Sequence, residues 1–176
     1  ELRTADWKWR NGDHLLAAWH RDRGQHLSWQ RIVVIQWDLL LLEPVAKAFP
    51  TTDQDCLRLS GARPVSEVED WWTWTSGEHR AEFERFAREH DDPWCCLFIT
   101  QALPRTFLDF YTGVVTEQGF IEYRLPTLAL AGGFRVEADD RHQPWWADDP
   151  TTAGVSRLDR CINAVGWSIP SWLVVW

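Results

Sequence analysis

The run Arg31-Ile-Val-Val-Ile-Gln-Trp-Asp38 brings a carboxylate to the end of a continuous β-branched stretch. Such a stretch reads as a strand covered on both faces of an α/β sheet, and in open α/β sheets ligands bind beyond the strand ends. Leaving an acid buried there without a partner would be costly, so a cation, a metal or a ligand hydroxyl is its natural counterpart. The competing reading is that Asp38 caps the following turn.

Tryptophan supplies the second chemistry, with 14 Trp against 8 Phe, 2 Tyr and no Met. An indole offers a flat apolar platform and one N–H donor, which suits the C–H face of a sugar ring when carboxylates stand nearby. Trp71, Trp72 and Trp74 adjoin Glu67, Glu69 and Asp70 and are the expected ligand-facing set, whereas most of the other tryptophans are expected in the core or at interfaces. Other reaction types lack their signatures. The histidines at 14, 20, 26, 79, 90 and 142 form no HExxH and read as solvated or structural. There is no GxSxG, no phosphate-cradling P-loop and no GxGxxG. Cys56, Cys95, Cys96 and Cys161 have neither zinc spacing nor the density of a disulfide scaffold and read as buried thiols.

These residues must be positioned by alternating helices and strands. Leu15, Leu16 and Trp19 predict a short amphipathic helix over Asp13–Arg23, with Asp13 as its N-cap and Gly24 as its stop. Arg31–Ile35 is expected to be a central strand, and Pro44 to open a helical turn at Val45–Phe49. Further strands are predicted at Cys56–Ser60, Trp94–Thr100 and Phe134–Ala138. Helices are predicted at Glu78–His90, at Pro104–Tyr111, and at Gly119–Ala131 with an interruption at Pro126. Asp139–Pro150 reads as a loop. This alternation indicates an α/β layer fold.

Composition narrows the partners. Eighteen Lys and Arg against 26 Asp and Glu leave a net charge of −8 over 176 residues, so no general attraction for nucleic acid or anionic membranes is expected. No apolar run approaches the roughly 20 residues of a membrane span. A cytoplasmic location is the default, although a removed signal would leave no trace.

The strand, the motif position Gln36-Trp37-Asp38 and the apolar tail Leu39–Val45 together resemble the core of the GT-A glycosyltransferases, where an Asp-x-Asp motif follows such a strand. The resemblance implies a GT-A-like mixed sheet flanked by helices. It also implies a divalent metal, Mn²⁺ or Mg²⁺, on the donor diphosphate, held most directly through Asp38. Gln36 stands where the first carboxylate is usual, which weakens or reorganises metal binding. Lys8-Trp9-Arg10-Asn11-Gly12 is similar to the Arg-Asn element that some of these enzymes carry near the donor, and implies donor-side roles for Lys8, Arg10 and Asn11. Read by itself, that stretch is equally a solvated basic loop with an N-cap. Cys95–Thr100 with Pro104–Leu108 is similar to the strand beside the acceptor and its following helix, and Glu122 falls where the family has an acid near the acceptor.

The similarity covers roughly residues 8 to 137 as a spaced set of degenerate motifs. The stretch before Asp38 is too short for the nucleotide-binding half that such enzymes place upstream. Residues 1–176 are therefore expected to be one domain, part of a larger transferase-like unit or one with an incomplete donor site. The implied reaction is sugar transfer from a nucleotide-sugar donor to a hydroxyl acceptor. The alternative is a non-catalytic, Trp-rich module that binds carbohydrate or protein.

Overall fold

The computed structural model of the chain describes residues 7, 10–36, 43–50, 53–68 and 77–139. Within them the elements run α1 (Gly12–Asp22), β1 (Arg31–Ile35), α2 (Val45–Ala48), β2 (Cys56–Ser60), β3 (Arg63–Pro64), α3 (Arg80–Glu89), β4 (Trp94–Cys95), β5 (Thr100–Pro104), α4 (Arg105–Val114), α5 (Ile121–Ala131) and β6 (Arg135–Asp139). Short 3₁₀ turns lie at Gly24–His26 and Val65–Glu67. The larger sheet has four strands in the order β1-β5-β2-β6, and β3 pairs with β4 separately. The pairings of β5 are antiparallel and that of β2 with β6 is parallel, so the sheet is mixed and flanked by helices.

Alternation along the strands decides what each face of the sheet buries. Ile32, Val34, Leu57, Leu59, Leu103 and Val136 point to one side, against Phe107, Leu108 and Tyr111 of α4 and Ile121, Leu125 and Leu128 of α5. Val33 and Ala102 point to the other side, where Ala48 and Phe49 cover them. A second core joins Phe86 of α3 to Cys95, Leu97, Ile99, Phe120 and Tyr123.

Several expectations are corrected. β1 is not central: among the described residues it lies at the end of the sheet, and all five of its residues are half-buried. The interior positions belong to β2 and to β5, every residue of which is buried. The strand expected at Trp94–Thr100 is divided, because Cys96 and Leu97 bond to Glu122 and Ser60 rather than to a neighbouring ladder. An apolar run shows that a segment is buried, and not which partners its amides find.

Helix α1 also buries a different face from the one its leucines suggest. Leu15 is 56% exposed, while Asp13, Ala17 and His20 are buried and Leu16 packs on the core. Asp13 is therefore inside the helix rather than at its N-cap, a position that Asn11 occupies. His20 is structural, with Nε2 2.7 Å from Asp109 Oδ1. Pro126 lies within α5 without interrupting it.

Candidate functional site

The pairings make β1, β2 and β6 run in one direction, with β5 opposed, so the C-terminal ends of those strands share one side of the sheet. Gln36 follows β1 on that side, Ser60 ends β2 and Asp139 ends β6. Ile35 is opposite Thr100, and Ser60 is opposite Asp139. Ser60 Oγ lies 2.7 Å from Thr100 Oγ1 and accepts the Thr100 amide at 3.1 Å, so the two buried hydroxyls satisfy one another.

Just before β5, residues 96–99 draw four distant segments together. Ile99 O accepts the Gln36 amide at 2.9 Å, Ser60 O accepts the Leu97 amide at 2.7 Å, and Glu122 O accepts the Cys96 amide at 2.8 Å. A Cβ at Gly12 would lie 3.7 Å from the Phe98 ring and 4.0 Å from Ile121 Cδ1. Gln36, the Asn11-Gly12 element and the first turn of α5 with Glu122 therefore surround one short piece of chain.

The position of Glu122 follows from the sequence of its helix. Pro126 has no N–H, so the Glu122 carbonyl, its i−4 partner in a regular helix, is released and instead receives the Cys96 amide. Farther along α5, Thr127 Oγ1 accepts the Trp94 amide at 3.0 Å and donates to the Trp94 carbonyl at 3.1 Å. These bonds hold α5 alongside Trp94–Cys96. Glu122 also acts electrostatically there. Burial pushes the Cys95 thiol up to about 12, with Arg63 pulling it down and Glu122 adding to the rise. Cys96 is raised well above its ordinary value, first by burial and then by Glu122. Both thiols are thus protonated and poor nucleophiles at neutral pH.

The basic element before α1 is tied into the protein. Arg10 pairs with Glu82 and stacks over Phe120 at 4.8 Å from the ring centroid. Asn11 is buried, donates to Trp7 O at 3.1 Å and accepts from Arg124 Nη1 at 3.2 Å. Arg124 itself is fully buried and was not among the residues singled out in the sequence. Its Nε and Nη2 grip Asp13 side-on at 2.8 and 2.6 Å, and its Nη1 reaches Gln118 O at 3.1 Å and Gly119 O at 2.9 Å. The Tyr111 hydroxyl donates to the same Asp13 carboxylate. Burial pulls the Arg124 guanidinium down, but Asp13 more than offsets this with help from Tyr111, and the net shift is upward. Tyr111 is driven well up by burial and then by Asp13. The signal of this cluster in the sequence is Arg124 within the largely apolar run Ile121–Ala131, since a buried guanidinium needs a carboxylate partner.

Lys8, Asp38 and the tryptophans Trp71, Trp72 and Trp74 lie outside the described residues. Of the expected donor side, Arg10, Asn11 and Gln36 are described, and Glu122 of the acceptor side. Among the described residues no group of three or more His, Cys, Asp or Glu could hold a metal ion. Gln36 could offer an amide oxygen, which hard cations accept as a neutral ligand.

The described part of the chain is an α/β protein with a mixed sheet, and no helix of it is long and apolar enough to cross a membrane. No protein family, curated protein or solved structure was found that matches the chain.

Proposed function

We propose that the chain transfers a sugar from a nucleotide-sugar donor to a hydroxyl acceptor. The observation that carries this reading is the convergence on residues 96–99. The end of the strand that leads to Asp38, the Asn11-Gly12 element and Glu122 come from remote parts of the sequence and meet around the same few residues. In the reaction, Glu122 orients the acceptor hydroxyl and takes its proton as the glycosidic bond to the leaving nucleoside diphosphate breaks. The donor role is assigned to Gln36 and Asp38, and Trp71, Trp72 and Trp74 are assigned to stacking on a sugar ring. Mn²⁺ or Mg²⁺, when bound through Asp38 with Gln36 in support, would neutralise charge on the diphosphate.

A second reading has its own support. Arg10 and Asn11 are engaged with Glu82 and Arg124, and using either on a donor would break an internal bond. A module that keeps only a glycan or acceptor cleft, or that binds a protein through its tryptophans, does not need them.

Tryptophan fluorescence separates the two. The chain is titrated with UDP-glucose, UDP-N-acetylglucosamine and GDP-mannose, each with and without Mn²⁺, and then with free oligosaccharides. The transferase reading expects a metal-dependent response to one nucleotide sugar and release of its nucleoside diphosphate. Asp38→Asn should abolish the response, and Glu122→Gln should keep it while slowing release by about 10²-fold or more. A response to free oligosaccharides alone would replace the transferase with the binding module.

A further inference from the structure

We infer that Arg124 is a positioning residue for Glu122, a role that gives the buried ion pair a purpose beyond stability. The catalytic consequence rests on the transferase reading, whereas the geometric claim does not.

Glu122 and Arg124 are two residues apart in α5, so they project about 200° apart around the helix axis. Glu122 lies on the side of Cys95 and Cys96, and Arg124 on the side of α1. The rotation of α5 about its own axis therefore decides where the Glu122 carboxylate points. On one side that rotation is held by the Cys96 amide on Glu122 O and by Thr127 on Trp94. On the other side the polar link to α1 runs through Arg124, beside the apolar packing of Leu16 and Ile121. The Arg124 fork takes Asp13 side-on, while Nη1 takes Asn11 Oδ1 and the carbonyls of Gln118 and Gly119.

Those two carbonyls belong to the turn that launches the helix. Gly119 has φ +85, its amide is held by Glu82 Oε1 at 2.8 Å, and Phe120 O accepts the Arg124 amide at 2.9 Å. Arg124 thus ties three things together: the chain entering α1, the turn entering α5, and the helix carrying Glu122. A lysine keeps the charge but is a point donor without the planar fork, so it cannot hold Asp13 side-on and the turn at once.

The test uses the whole chain labelled with ¹³C at glutamate side chains, the Glu122 carboxyl resonance being assigned by its loss in Glu122→Gln. Arg124→Lys is expected to move the Glu122 resonance and its titration midpoint. Tyr111→Phe removes the hydroxyl that bonds Asp13 but keeps the fork of Arg124 on Asp13 and its bonds to the turn, and is expected to lower the melting temperature while leaving Glu122 unmoved. If Arg124→Lys does not fold, Asp13→Asn, which keeps the shape and removes the facing charge, takes its place with the same expectation. A Glu122 resonance that is unchanged in the folded variant, or that moves equally in Tyr111→Phe, overturns the inference.

Nucleoside diphosphate release from the nucleotide sugar that the intact chain turns over gives the second readout. Arg124→Lys should lower kcat by about tenfold or more with little change in KM, as expected when a reacting group is displaced by a fraction of an ångström. Tyr111→Phe should leave kcat unchanged, and an unchanged kcat in Arg124→Lys overturns the catalytic part. A moved Glu122 resonance without turnover by the intact chain would retain the positioning role and remove the transferase reading.

Discussion

Removing the carboxylate of Asp13 is expected to be among the most destabilising single changes in the described part of the protein. In Asp13→Ala the Arg124 guanidinium stays charged and fully buried, its Nε has lost its acceptor, and the Tyr111 hydroxyl has lost its own. Breaking a buried ion pair from one side costs about 3–5 kcal/mol, and a stranded buried hydroxyl adds about 1–3 kcal/mol unless water enters the space. About 4 kcal/mol is a conservative expectation, and in a chain of this size it lowers the melting temperature by roughly 8–16 °C. The exposed pair Arg80–Glu84, with side chains 63% and 49% accessible, is the control, and Arg80→Ala should cost about 0.5 kcal/mol or less. The double variant Asp13→Leu/Arg124→Met removes both charges and should recover part of the loss. It cannot recover all of it, because the carbonyls of Gln118 and Gly119 also lose their donor. Urea denaturation followed by circular dichroism measures each step. A loss below about 1 kcal/mol for Asp13→Ala would refute the reasoning, since the pair would then behave like a surface one.

Thr127→Val keeps the shape of the side chain but strands the Trp94 amide and carbonyl, and should cost about 2–4 kcal/mol in the same assay; a neutral result would show that Trp94 finds other partners. Gly119→Ala meets φ +85 and a Tyr123 ring 2.5 Å from the new Cβ, and Phe83 and Phe86 pack against that ring, so a loss above about 2 kcal/mol is expected from melting. Cys95 and Cys96 should resist iodoacetamide at pH 8 in the folded protein and react once it is unfolded in urea, as read by peptide mass, and rapid native labelling of either would contradict their burial. Because the folded values of Cys95, Cys96 and Tyr111 are raised, their contribution to stability is complete below the unfolded thiol and phenol values and is lost as pH rises through the folded ones. The urea midpoint should therefore decline steadily above about pH 9, and a flat midpoint up to pH 11 would contradict that sign.

The sequence by itself determined the type and approximate place of most described elements, because β-branched runs and the 3.6-residue spacing of Phe83 and Phe86 are local properties of the chain. The resemblance also pointed to Gln36, Asn11 and Glu122, and the fold brings Gln36, Glu122 and Gly12, the neighbour of Asn11, around residues 96–99. Only the tertiary structure decided the order of the strands, since β1 looks more hydrophobic than β5 and yet lies at the end while β5 is enclosed. The inner face of α1 was decided in the same way. Its leucines pointed to one stripe, but Asp13 and His20 turn inward because Arg124 and Asp109 await them there, and a polar side chain can be buried once its partner is supplied from far along the chain. The same holds for Pro126, which reads locally as a helix breaker. Within the fold its missing N–H leaves the Glu122 carbonyl to the Cys96 amide, a pairing no local pattern could reveal because hydrogen-bond partners are chosen by tertiary proximity.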